Sequence, residues 1–162
     1  MKKTLLSSAL LTLVLTATQS TQAADPVWLE GKTEQSYAIQ VYHSPTCGCC
    51  KGWVDHLKAH NFKVESIEMH DVTPVKQQFG VPPRGASCHT AVVNGKVIEG
   101  HVPAQDIKQL LSAESDIRLL TVPGMPSGGP GMDYDGARKD AFKVYAVNEE
   151  GQVSVFKNYQ DY

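Results

Sequence analysis

The chain has 162 residues, 41% of them hydrophobic, with 17 acidic and 15 basic side chains and a formal charge of −2. That length suits one domain rather than several. A weakly acidic chain without a basic run gives no electrostatic basis for binding nucleic acid, and past the N-terminal two dozen residues no stretch is apolar enough to cross a bilayer.

The chain opens on Lys2 and Lys3, then the apolar run LLSSALLTLVL, then small and polar residues. Basic, apolar and small-residue regions in that order make a secretory signal. The apolar core of about 11 residues is too short for a spanning helix. Cleavage after Ala23 fits best, with Thr21 at the minus-three position; Ala24 is the alternative. The expected organisation is a signal peptide over 1–23 and a single exported domain over 24–162, without stable membrane insertion once cleaved. Loss of the two lysines takes the formal charge from −2 to −4.

Residues 25–36 read as a polar lead-in. Ala38 to His43, AIQVYH, has the β-branched and aromatic content of a strand. From Cys50 onward Trp53, Val54, Leu57 and His60 fall on one helical face. Lys63 to Met69 alternates as a second strand, which would place Met69 in the core. Thr73 is the expected N-cap of a short helix through Phe79, with Pro74 at its first position. TAVVNGKVIEG is a hairpin, since Asn94-Gly95 supplies the positive φ values of a two-residue type I′ turn. Pro103 to Ser112 makes a further helix with Ile107, Leu110 and Leu111 on one face. The glycine- and proline-rich segment Val122 to Gly136 is a loop. Phe142 to Val147 and Val153 to Tyr159 close the chain as a hairpin. The order β-α-β-α-β-β-α, with a cysteine motif at the first strand-to-helix junction, outlines an α/β, thioredoxin-like sandwich with a Gly/Pro/Met loop and a C-terminal β-hairpin.

The chemistry concentrates in SPTCGCCKGW. Cys47, Cys49 and Cys50 lie within four positions, and Cys88 is the only other cysteine. A helix start aims backbone N–H groups and the helix dipole at these thiols, which favours thiolate. Cys47 and Cys50 have the spacing of a redox dithiol or a disulfide. Cys49 between them would invite mispairing in disulfide exchange, yet it adds a soft ligand. Three thiolates from one turn plus Cys88 suit Cu(I), and also Zn(II). Their crowding suits bridging sulfurs more than a single zinc ion held by separated knuckles.

Other donors gather around this motif. In such a fold Cys88, followed by His89, lies opposite the first helix turn; His43 ends the first strand within reach, and His101 closes the hairpin. His56 and His60 are one turn apart on a helix surface and read as solvated, and His70 as a loop residue. Met125 and Met132 sit among Gly, Pro and Ser with no apolar face to fill. Thioether sulfur is a soft ligand suited to copper in an exported protein. Trp53 reads as packing, and Glu99, Asp133 and Asp135 form no pair suited to acid–base work.

PTCGCCKGW, GVPPRGASCHTAVVNGKVIEGHVP and VPGMPSGGPGM together resemble the CopG-type periplasmic copper-resistance family, a thioredoxin-like group, over most of Ala38 to Met132. The resemblance implies copper binding by Cys47, Cys49, Cys50 and Cys88, multinuclear Cu(I) clustering and interconversion of Cu(I) and Cu(II). Met125, Met132 and His101 stand in matching motifs and are candidate ligands on that ground. The expected partners are copper ions and other exported copper-handling proteins. Two further readings stand beside this one: a thiol–disulfide oxidoreductase using Cys47 and Cys50, and a copper chaperone without redox activity. No motif demonstrates catalytic turnover.

Overall fold

The computed structural model describes residues 25–162, so the expected signal peptide and its cleavage site lie outside the described residues. Seven strands form one sheet: β1 (Ala38–His43), β2 (Lys63–Glu68), β3 (Thr90–Val93), β4 (Lys96–Glu99), β5 (Ile117–Thr121), β6 (Phe142–Asn148) and β7 (Val153–Tyr159). Three helices accompany them: α1 (Gly48–Ala59), α2 (Thr73–Gln78) and α3 (Ala104–Ser112). The strand order is β2-β1-β3-β4-β5-β6-β7. β1 runs parallel to β2 through the α1 crossover, and β4 parallel to β5 through α3; the other pairings are antiparallel.

The central strands are apolar on both faces because both are covered. Neighbouring residues on a strand point to opposite sides, and the core divides accordingly. Ile98, Leu120 and Ala146 join Trp53, Leu57, Ile107 and Leu110 of α1 and α3 in the larger cluster. Their neighbours Val97, Leu119 and Val147 pack with Phe79 and Val81, after α2, on the other side. The expected hairpin turn is present, with φ of 47° at Asn94 and 77° at Gly95.

Several local expectations change. The lead-in contains a 3-10 turn, Pro26–Leu29, and its Trp28 is fully buried. Trp28 Nε1 donates to the Gly128 carbonyl at 2.8 Å, and its ring meets Phe142, Tyr159 and Tyr162. The N-terminal turn, the glycine loop and the closing hairpin are therefore one packed unit. β5 was not expected at all. β2 ends at Glu68, so Met69 lies just beyond it and is only partly buried. Thr73 does not cap α2; it is the first helical residue, and its N–H is taken by the Asp71 carboxylate at 2.9 Å. Among the described residues no helix is long and apolar enough to cross a membrane.

Candidate metal centre

α1 begins immediately after Cys47, whose Sγ accepts the Cys50 N–H at 3.3 Å, so the thiol position itself is the helix cap. Cys47 and Cys50 are joined in a disulfide with Cα atoms 5.3 Å apart. Cys49 and Cys88 are free and half-buried. Cys49 Sγ lies 3.5 Å from Cys47 Sγ, and the sulfurs of all four cysteines fall within 4.8 Å of one another. The expected meeting of Cys88 with the first turn of α1 is what the topology delivers, because β3 pairs directly with β1.

A second grouping shares Cys88. Its Sγ is 3.3 Å from His89 Nδ1 and 3.2 Å from His101 Nε2, and these ligand atoms also lie within 4.8 Å of each other. His101 Nδ1 donates to the Pro130 carbonyl at 2.8 Å. That bond fixes the proton on Nδ1 and turns the Nε2 lone pair toward Cys88, the orientation that second-shell partners commonly impose on ligating histidines. His89 packs against Trp53, ring centroids 4.3 Å apart, and its buried Nε2 has no hydrogen-bond partner.

The electrostatics follow from burial. Burial pushes the Cys88 thiol up to about 12, with the nearby Cys49 adding to the effect. Burial holds His89 well below the ordinary histidine range, with His101 and Lys76 contributing, and burial lowers His101 although its bond to Pro130 opposes this. Without a cation, burial keeps the Cys88 thiol and the His89 and His101 imidazoles neutral. A metal ion inverts that preference, because its charge stabilises thiolate and its ligand bonds replace lost hydration. Sulfur and neutral imidazole donors with few hard oxygens fit a soft cation such as copper.

The glycine loop leans on this centre by backbone contact. Gly131 has φ of 79°, and a Cβ built there would lie 2.5 Å from Trp53 N and 2.7 Å from the Cys49 carbonyl oxygen. Only glycine allows that approach. Asp133 secures the turn by accepting Gly131 N–H at 3.0 Å and Asp25 N–H at 2.8 Å. Met132 consequently lines a cleft of about 610 Å³ together with Gly48, Cys49, Gly52 and His56. Met125 is not in that cleft; it is 56% exposed and borders a separate groove beside Pro82, Arg84 and Phe142.

The remaining histidines are placed as follows. His43 is buried, with Nδ1 donating to the Ser44 carbonyl and Nε2 taken by the Ser66 hydroxyl at 2.6 Å, so neither nitrogen is left for a metal. His56 and His60 are not solvated. Both are buried, because α1 is covered by the N-terminal turn and by the start of α3. His56 Nε2 accepts the Ala104 N–H at 2.9 Å, and His60 Nε2 donates to the Trp28 carbonyl at 2.6 Å. His70 is exposed. Glu99 is fully buried in an ion pair with Lys76, and Asp135 is exposed. Trp53 is buried packing, its Nε1 donating to the Val102 carbonyl. The sequence reading places His89 beside Cys88 but not among the candidate ligands. Adjacent strand residues face opposite ways, but the chain bends at Cys88 before β3 begins, and this lets both side chains turn to one place.

These observations define a class: an α/β protein with a cysteine–histidine cluster able to hold a metal ion, set at a strand-to-helix junction. Residues 85–132 match the model of a family described as a protein of unknown function, DUF411. Two solved structures share the fold. One, a copper resistance protein CopG in form 2, is 44% identical, with a TM-score of 0.73, over 78% of this chain and 100% of that one. The other, form 1, is 45% identical, with a TM-score of 0.72, over 77% and 98%. No curated protein matches. The chain belongs to the CopG copper-resistance protein family.

Proposed function

We propose that this protein binds copper during copper resistance, holding Cu(I) on Cys49, Cys88 and His101 with Cys47 and Cys50 joining once reduced. The observation that carries the reading is the convergence of four sulfurs and two neutral imidazoles in one place. His89 and Met132 border the same donors and are included as ligand candidates; Met125, more exposed, is a capture residue at most. With four thiolates available, bridging sulfurs and more than one copper ion follow.

The dithiol gives the site a means of changing copper oxidation state. Cys47 and Cys50 together lose two electrons and two protons as their S–S bond forms, and two Cu(II) ions each accept one electron to become Cu(I). An exported dithiol reductant would reverse the bond and reset the site. The chain is exported by residues 1–23, with cleavage after Ala23, and residues 24–162 act as one domain; the mass of the mature protein tests this directly.

The central test is elemental analysis with a free-thiol count on protein purified from copper-supplemented cells. Copper bound by the wild type and lost on Cys→Ser substitution at 47, 49, 50 and 88 is the expected result. Unchanged stoichiometry in that variant ends the proposal. The Cys47–Cys50 disulfide at a helix start favours one second reading, a thiol–disulfide oxidoreductase. Turnover of insulin disulfides by the metal-free protein would support it, and fold alone does not.

A further inference from the structure

Among the described residues, Glu99 is a carboxylate fully enclosed within the sheet beside the metal centre: its side chain is 0% exposed. It lies at the end of β4, two residues before His101. Burying an unpaired carboxylate is costly, and here both oxygens are answered. Lys76 of α2, itself 14% exposed, donates to Oε1. Thr90 Oγ1 of β3 donates to Oε2 at 2.7 Å. The Ser87 backbone N–H donates to Oε1 at 2.6 Å. Lys76 also reaches Thr90 Oγ1 at 3.1 Å, closing the network.

The third donor links the network to the site. Ser87 immediately precedes Cys88 in a segment without regular structure, where no ladder partner holds the backbone. Its N–H is spent on Glu99, its hydroxyl on the Gly124 carbonyl, and on the other side of Cys88 the His89 carbonyl accepts the Gly100 N–H at 3.1 Å. We propose that Glu99, held by Lys76, is a positioning residue for Cys88: its carboxylate clamps the Ser87 N–H and so fixes the Cys88 sulfur against His89 and His101. Glu99 and Lys76 bond to no ligand atom, and Ser87 itself also brings its hydroxyl within 3.9 Å of Cys88 Sγ. The clamp acts through the backbone, and it ties the Cys88 segment to the same strand end that carries His101. The assignment rests on the copper-binding reading for its purpose, but not for its structural content.

The test uses the full chain in the oxidised form, in which Cys49 and Cys88 are the free thiols. Two double variants are compared with wild type, Lys76→Met/Glu99→Gln and Lys76→Met/Glu99→Met. Both remove the buried charges together, which apolar replacements commonly tolerate. Gln keeps an acceptor for Ser87; Met, of equal length, does not. Alkylation of each thiol is followed by peptide mass. In the Glu99→Met variant Cys88 should react about tenfold faster than in wild type, as expected when one hydrogen bond to a charged acceptor is lost. It should stay within about threefold in the Glu99→Gln variant, which retains an acceptor. Cys49 should be unchanged throughout. Equal Cys88 rates in the two variants, or Cys49 accelerating in step with Cys88, overturns the proposal. Hydrogen exchange in wild type provides a check that needs no variant: the Ser87 amide should exchange only with global unfolding, and exchange at an open-loop rate overturns the clamp. Copper titration of wild type in the same series separates the two ideas. Failure to bind copper ends the functional reading, while the alkylation contrast still decides the clamp.

Discussion

Acidification should destabilise this protein through a buried histidine outside the cysteine–histidine cluster. His56 sits on α1 and caps the first N–H of α3 through Nε2, and its buried Nδ1 has no hydrogen-bond partner. Burial, with smaller contributions from His60, Lys32 and His101, lowers its pKa from 6.5 to about 3. A histidine whose folded pKa is depressed keeps its full contribution above the unfolded value. It loses that contribution as the pH falls from about 6.5 toward about 3. Each pH unit in that window costs about 1.4 kcal/mol, so moving from about pH 7.5 to about pH 5 removes about 2 kcal/mol through His56 alone. Urea unfolding at those two pH values measures the loss. His60, His89 and His101 are lowered too and add to the wild-type total. Their share is subtracted by comparison with His56→Gln, which retains an acceptor for Ala104 but cannot take up a proton. The variant should lose about 2 kcal/mol less than wild type over the same interval. Equal losses in the two proteins would refute the assignment of His56 as a neutral structural group.

Reducing the Cys47–Cys50 bond raises the free thiols from the two oxidised-form cysteines to all four, so Cu(I) capacity measured against a chromophoric chelator should rise on reduction; equal capacity in both forms would count against the dithiol as a ligand source. Gly131→Ala places a Cβ against backbone atoms of Trp53 and Cys49. It should cost about 2–4 kcal/mol in thermal unfolding, a backbone clash with no flexible neighbour to yield; an unchanged Tm contradicts this. Trp28→Ala removes a fully buried indole and its bond to Gly128, and should cost about 3–5 kcal/mol by urea titration, with the closing hairpin losing hydrogen-exchange protection first.

Much of the architecture is legible in the residues because alternation, Asn94-Gly95 and helical spacing each leave local signals. β5 left none. Leu119, Leu120 and Thr121 are buried in succession because the strand lies between β4 and β6 with both faces covered, and a continuous apolar run does not distinguish strand from helix. Trp28 was illegible for a different reason: its pocket is built by residues more than a hundred positions away, in the closing hairpin. At the site, spacing singled out Cys47, Cys49 and Cys50, while Cys88 came in only through the expected fold. His56 and His60 were misread because i,i+4 spacing gives a shared helical face, not what covers it. Glu99 looked idle because its partner Lys76 belongs to a different element. These failures share a cause: tertiary partners cannot be seen from local pattern.

The Cys47–Cys50 bond spans a single helical turn, between residues whose Cα atoms are already 5.3 Å apart. The bond closes within that turn and joins no other element. A two-electron change at this site is therefore nearly silent to any method that senses size or outline, such as scattering or sedimentation. The oxidation state of the protein is then recorded in its thiols, and a preparation that mixes both states will look homogeneous until its sulfur chemistry is counted.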